Sequence, residues 1–377
     1  MSPGDLLRVY RREFIMASLL FSPVIHGLGE SLRGLIFSPL SSGPLLLAVV
    51  YAPSTVRRIV SDFVNRLPGL HVPPANINLS AATKVLCVIF ALSVARRLNR
   101  ALNTLASNSW RLTASKGWDW PNEIAVVTGG SSGIGMLVVE KLAASGVRVA
   151  VLDIQELPKS MGNNTHIRFF KCDVTSSKSV AEAADSVRRE IGHPSILINN
   201  AGVTSPTSIL KMSESFLRKI FGVNTMSHWF TTQQFLPHMI QMNKGHVVTV
   251  ASLASFVALP TAADYSATKA AALSFHEALT CELKHVYKAP NVLTTVVHPN
   301  YVRTPLIEDY VGHLEKAGVR LLTSEHVAEP IVARLKSRRG GQLIIPKSAS
   351  VVSGIRGWPT WLQELLRDVM GRSSLSS

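Results

Sequence analysis

Tyr265 and Lys269 stand four residues apart in D-Y-S-A-T-K-A-A-A-L-S-F-H-E, at the start of an alanine-rich stretch. On a helix that spacing puts both side chains on one face. A phenol beside an ammonium is a pair suited to proton transfer. A free tyrosine, with a pKa of about 10, is a poor base near neutrality, and a nearby positive charge favours its phenolate. Oxidising an alcohol requires such a base for the proton and a separate acceptor for the hydride. The same pair also fits an ordinary helix surface, so the chemistry depends on what the rest of the chain supplies.

A place for the hydride acceptor lies upstream. Ile124–Thr128 reads as a strand that runs into V-T-G-G-S-S-G-I-G, with a helix expected over Ile134–Ser145. Gly129, Gly133 and Gly135 supply a tight turn, close backbone approach and close helix packing, and they leave the helix N-terminus open to a pyrophosphate. Asp153 ends the next strand, 24 positions beyond Gly129, where a carboxylate can accept hydrogen bonds from ribose hydroxyls. It would repel a 2'-phosphate, and no Arg or Lys in the loop compensates, so NAD is favoured, with NADP the alternative. Strands are expected again at Arg168–Phe170, Ile196–Asn199, His246–Ala251, Val292–Val297 and Gln342–Ile345, with helix-length segments between most of them. That alternation predicts an α/β fold: a doubly wound parallel-sheet Rossmann domain over residues 122–346.

Over that range the chain resembles the short-chain dehydrogenase/reductase family, on three motifs in the family's order. They are T-G-x-x-x-G-x-G at Thr128–Gly135, N-N-A-G at Asn199–Gly202 and Y-x-x-x-K at Tyr265–Lys269. The resemblance implies an enzyme with Tyr265 as acid/base. Lys269 would lower the tyrosine's pKa and hold the nicotinamide ribose, Ser252 would orient the substrate oxygen, and Asn224, in G-V-N-T, would hold a water linking Lys269 to solvent. It also implies cofactor contacts from Ser131, Ser132 and Ile134 in the glycine loop and from Asp173 and Val174 in C-D-V-T. Asn200, Ala201 and Gly202, then Pro299, Val302 and Thr304 in H-P-N-Y-V-R-T-P, complete that set. Ser255 stands where many members have glycine, and Asn300 where P-G is commoner; the second change resembles the membrane-associated retinol dehydrogenase and 17-beta-hydroxysteroid dehydrogenase branch. The helices expected at Asn224–Met242 and Ser266–Tyr287 correspond to the family's dimerisation surfaces, so a homodimer is implied.

The rest of the chain bears on where such an enzyme works. The formal charge is +15, and residues 1–120 hold 13 Lys or Arg against 5 Asp or Glu, a net of +8 in the most apolar part of the sequence. With no zinc-finger or basic-helix pattern, this favours an anionic membrane surface over nucleic acid as partner. Residues 1–110 are expected to be a membrane-associated extension and 111–121 a linker. The uncharged run Gly34–Val56 is bilayer-length but carries Pro39, Pro44 and Pro53, while Ile77–Ala95 is the better helix, closed by Arg96, Arg97 and Arg100. Ahead of them, Arg8, Arg11 and Arg12 precede the apolar run Phe14–Ile25, a pattern open to a signal or mitochondrial presequence. The expected location is the endoplasmic reticulum or a lipid droplet, with the catalytic domain facing the cytosol.

Cys87, Cys172 and Cys281 lack metal-ligand spacing, and no metal site is expected. Phe256, Val257, Leu259, Leu306, Ile307, Val319 and Leu321 are placed to flank a lipophilic substrate. Residues 347–377 form an extension whose run Trp358–Met370 has the pattern of an amphipathic helix. Alternative functions on the same pattern are an NADPH-dependent carbonyl reductase and a membrane scaffold that keeps the nucleotide fold without turnover.

Overall fold

The computed structural model describes residues 38–66, 72–316 and 318–375, with side chains described as far as Asp368. The arginines at 8, 11 and 12 and the run Phe14–Ile25 lie outside the described residues. The chain divides into two compact units, one ending at Thr104 and one spanning Leu105–Ser377.

In the first unit, helix α1 (Pro39–Tyr51) starts at Ser38, whose hydroxyl accepts from the Leu40 amide at 3.2 Å. Helix α2 (Pro53–Val64) follows after one residue, at a bend of 108°. The uncharged run Gly34–Val56 therefore does not make one straight helix: Pro53 lacks the amide that would continue α1. Helix α3 (Leu79–Ser107) is 29 residues long and is the one described helix long and apolar enough by itself to cross a membrane. Val85, Val88, Leu92 and Leu98 on it are 56–58% exposed. Small residues let α1 and α3 approach: Ser42 and Ser93 meet at 3.4 Å, and a Cβ on Gly43 would lie 3.2 Å from the Phe90 ring.

The second unit is built on a seven-stranded parallel sheet. Its strands are β1 (Ile124–Thr128), β2 (Arg148–Asp153), β3 (Ile167–Lys171), β4 (Ile196–Asn199), β5 (Gly245–Val250), β6 (Val292–Pro299) and β9 (Gly341–Ile345), in the spatial order β3-β2-β1-β4-β5-β6-β9. Two further strands, β7 (Val302–Arg303) and β8 (Leu322–Thr323), pair by themselves. Every residue of β1, β4, β5 and β6 is buried, which is why these strands are rich in Val and Ile. Helices α4 (Gly133–Ala143), α5 (Ser177–Glu190), α7 (Ser227–Gln241), α8 (Ala263–His285) and α10 (Glu325–Lys336) complete the layers, with a short α9 (Val311–Lys316) near β8. The resulting fold is Rossmann-like, and its strand order reverses at β1/β4, where the carboxyl ends of the strands leave a crevice.

Two local features depart from the expected pattern, and the expected C-terminal helix forms. Helix α6 (Glu214–Phe221) does not stop before α7; the two are joined by a π-helical turn, Gly222–Met226, that contains Asn224. Such turns cluster at functional sites because they displace one side chain from the helical register. The segment expected as a linker is pinned to the domain. Asn108 Oδ1 accepts from the Gly340 amide at 3.3 Å, the Ser115 amide donates to Arg338 O at 3.0 Å, and Trp118 and Trp120 stack at 5.5 Å against the core. Finally, the C-terminal helix α11 (Thr360–Leu375) and the 3-10 segment Lys347–Gly357 before it pack on the domain.

Candidate active site

The glycine loop is shaped by what a side chain would strike. Gly129 has φ +63°, and a Cβ there would lie 2.9 Å from Ala201 Cα; one on Gly135 would lie 2.1 Å from Gly129 O. Both positions therefore require glycine. Gly133, at φ +55°, is closely approached by the Thr304 methyl. Thr128 fastens this loop to the end of β4: its Oγ1 accepts from the Asn200 and Ala201 amides at 3.0 and 3.1 Å. Asn200 Nδ2 donates back to Thr128 O and Gly129 O, at 3.1 and 3.0 Å. Ser132 is the N-cap of α4 but makes no side-chain cap, so the helix's first amides donate no hydrogen bond to its hydroxyl.

At the end of β2, the Asp153 carboxylate accepts from the Ser131 amide and the Gln155 amide, both at 3.0 Å, which sets it beside the glycine loop. Asp173 is exposed and closes a turn on the Thr175 amide and hydroxyl, next to buried Val174. Pro299 ends β6 and Val302 begins β7; Thr304 beside it lies against Gly133, with its Oγ1 donating to Val302 O at 3.3 Å. The cradle left by Gly129, Gly133 and Gly135, a helix N-terminus without a side-chain cap and a strand-end carboxylate together fit a dinucleotide.

The proton-transfer candidates meet on the other side of the crevice. Tyr265 and Lys269 lie in the first two turns of α8, with Lys269 Nζ 5.6 Å from the centroid of the Tyr265 ring. Nζ is buried and donates to Val250 O at 2.9 Å. The Tyr265 phenol is hydrogen-bonded to Ser252, which follows β5. Asn224 is fully buried: its Oδ1 accepts from the Val203 amide at 2.8 Å, and its Nδ2 donates to Val203 O and to Thr268 Oγ1 at 2.9 and 3.2 Å. Gly202 is where these groups come closest, since a Cβ there would be 3.6 Å from Asn224 Oδ1 and 3.7 Å from Lys269 Nζ.

The electrostatics differ from the expectation drawn on the Tyr/Lys spacing. Burial pushes the Tyr265 phenol up to about 12; the Ser252 hydrogen bond opposes this and nearby Tyr301 adds to it. Burial likewise pulls Lys269 down to about 8. The ammonium lies over the phenol ring and spends a hydrogen bond on Val250 O, so desolvation governs both groups in the free chain.

Other residues enter the site without having stood out in the sequence. Tyr310, on the 3-10 turn Pro305–Tyr310, donates to Leu306 O at 2.8 Å and also hydrogen-bonds Thr204; burial pushes it up to about 12. Tyr301 and His298 sit in the same H-P-N-Y-V-R-T-P stretch already marked as a cofactor wall, which was the available signal for them. Phe256 and Val257 are buried with Leu253 and Ile355 and pack against Trp358 and Leu366 of the C-terminal extension.

The short chain dehydrogenase family model matches residues 123–313. The chain belongs to the short-chain dehydrogenase/reductase family, the NAD(P)-dependent oxidoreductases that act on CH–OH groups. It is 39% identical over 204 residues to dehydrogenase RED2 of Cochliobolus heterostrophus, a match covering 52% of this chain and 77% of that one. It is 36% identical over 193 residues to estradiol 17-beta-dehydrogenase 11 of Pongo abelii, covering 50% of this chain and 64% of the relative. A short-chain dehydrogenase/reductase from Burkholderia phymatum solved with NAD shares the fold, with a TM-score of 0.58 at 23% identity over 66% of this chain and 97% of that one.

Proposed function

We propose that the protein interconverts a lipophilic alcohol and its carbonyl with NAD as cofactor, at a membrane. The observation that carries this reading is the meeting of Ser252, Tyr265, Lys269 and Asn224 at the carboxyl ends of β4 and β5, across from the glycine cradle. When bound, the dinucleotide supplies the hydride acceptor for oxidation and the donor for reduction.

In oxidation Tyr265 removes the hydroxyl proton while Ser252, hydrogen-bonded to the phenol, holds the substrate oxygen in line. A phenol held near 12 is the resting acid, so it is ready to protonate a carbonyl in reduction; for oxidation it needs added positive charge. Lys269 supplies part of that charge and holds the nicotinamide ribose, and Asn224 orders the path by which the proton leaves. The Asp153 carboxylate, positioned by two backbone amides, supports NAD over NADP.

Membrane attachment rests on α3, whose apolar side chains are exposed along its length and which is followed by no acidic residue before Asp119. Such attachment brings the enzyme to where lipophilic substrates dissolve, and the likeness to an estradiol 17-beta-dehydrogenase supports a steroid alcohol among them. The endoplasmic reticulum or a lipid droplet is the compartment this reading selects. Exposed Met226 and Trp229 at the start of α7 support a homodimer on that face.

The test is a screen of the detergent-solubilised full-length protein against steroid, retinoid and fatty alcohols with each dinucleotide. Turnover with NAD on at least one of them is expected. Turnover confined to water-soluble alcohols screened beside them, or to NADP, would overturn the substrate or the cofactor assignment.

A further inference from the structure

Ser252 is held at two separate points. Its Oγ accepts from the Ala254 amide at 3.1 Å and is bonded to the Tyr265 phenol. Its carbonyl oxygen has three partners of its own: the Ser255 amide and hydroxyl donate to it at 3.0 and 2.6 Å, and His298 Nδ1 lies 3.0 Å away. A carbonyl oxygen only accepts, so Nδ1 carries the proton. The other ring nitrogen, Nε2, is then a bare lone pair, and Gln342 Nε2 on β9 donates to it at 3.2 Å. The donor chain Gln342 to His298 to Ser252 thus selects one tautomer of the imidazole.

The surroundings reinforce that choice. His298 is fully buried on β6, with its ring centroid 4.5 Å from that of Phe256. Burial holds it neutral, down to about 4, with the Lys269 charge acting in the same direction and the Ser252 bond against it. With three donors gathered on the Ser252 carbonyl, rotating its peptide plane would orphan a buried one. The plane that fixes the carbonyl also fixes where the serine hydroxyl stands relative to the phenol.

We propose that His298 is a positioning residue for Ser252, locking the serine's backbone through its Nδ1–H so that the hydroxyl stays in register with Tyr265. This rests on the reading of Ser252 as the group that orients the substrate oxygen. It gives a role to Ser255 as well, since its hydroxyl adds to the same carbonyl a donor that a glycine, with its amide alone, would lack.

Two substitutions separate positioning from packing. His298→Leu fills the buried site and removes the donor, whereas His298→Asn leaves space but returns an amide N–H near the place of Nδ1. Small displacements of a reacting group cost up to about a hundredfold, so His298→Leu is expected to lower kcat about 10- to 100-fold with NADH affinity within about threefold of wild type. His298→Asn is expected to be the more active of the two even if it melts lower. The opposite order, with leucine near wild type and asparagine impaired, is the packing result and overturns the proposal. Wild type is assayed alongside: if it turns over no alcohol with either dinucleotide, that counts against the proposed function and not against His298.

A second measurement is independent of turnover. In full-length protein with 15N-labelled histidines, the His298 signals are assigned by their loss in His298→Asn. A neutral Nδ1–H tautomer that does not titrate between about pH 5.5 and 8.5 is expected. An Nε2–H tautomer, or an imidazolium forming in that range, overturns the proposal whatever the enzyme does with alcohols.

Discussion

Replacing Lys269 with methionine should make the protein more stable at neutral pH while impairing the site. The ammonium is 3% exposed, and burial pulls its pKa from 10.5 down to about 8. Below pH 8 the lysine is charged in both the folded and unfolded chain, so the cost of holding a charge in a dry site is felt in full. A fall of roughly 2.5, at about 1.36 kcal/mol for each, makes that cost about 3 kcal/mol. Methionine removes it but leaves Val250 O without its 2.9 Å donor, a loss of about 1–2 kcal/mol. The net expectation is a gain of about 1–2 kcal/mol at pH 7, or a rise of about 2–8 °C in melting temperature for a domain of this size.

The sign reverses with pH. Between about 8 and 10.5 the folded lysine gives up its proton while the unfolded one keeps it, so wild type gains stability over that window and the variant does not. Near pH 10.5 the variant should be the less stable of the two by about 1 kcal/mol, because only the orphaned carbonyl remains. Melting curves of both proteins in the same detergent, taken every half unit from about pH 7 to 10.5 with NADH titrations beside them, measure this. A variant that melts lower than wild type at pH 7, by an amount that does not change up to 10.5, would refute the argument from desolvation.

Other consequences follow from the same contacts. Thr128→Val keeps the shape but orphans the Asn200 and Ala201 amides, at about 1–3 kcal/mol each, and should lower stability and NADH affinity together, while Thr128→Ser retains both. Asp153→Ala should weaken the preference for NADH over NADPH, read by fluorescence titration; an unchanged ratio removes Asp153 from cofactor choice. Deleting residues 1–104 should move the protein from the carbonate-resistant membrane pellet to the soluble fraction with its melting temperature preserved. Deleting through residue 110 should lower that temperature, because it also removes Asn108 from the Gly340 turn.

Much of the domain was legible because its central strands β1, β4, β5 and β6 are buried on both faces and so are rich in Val and Ile. All seven expected strands formed, β1 and β4 with the expected ends and the others shifted by one or two residues; β6 runs on to Pro299. The glycine loop was equally readable, since a Cβ at Gly129 or Gly135 has nowhere to go. Spacing along one helix, by contrast, cannot report what a buried group loses in solvation. The spacing led to the expectation that Lys269, with the positive nicotinamide of a bound cofactor, favours the phenolate; in the free chain desolvation governs both groups.

Contacts across distant segments were equally hidden. Nothing near Phe256 in sequence announces that Ile355 and Trp358 cover it, and Arg356 donates to Ser255 O and Phe256 O from a hundred residues away, both at 3.2 Å. The same holds for His298: the stretch containing it was marked for its proline and threonine, and its bond to Ser252 exists only once β5 and β6 pair.

The central claim is that the Tyr265 hydroxyl carries the proton, and single-turnover hydride transfer in Tyr265→Phe tests it most directly. The substitution removes one oxygen from a ring that otherwise keeps its place on α8, so melting temperature and NADH affinity should stay close to wild type. With its acid/base gone, hydride transfer should slow by at least about a hundredfold. A folded, NADH-binding phenylalanine variant that transfers hydride at nearly the wild-type rate would contradict the account.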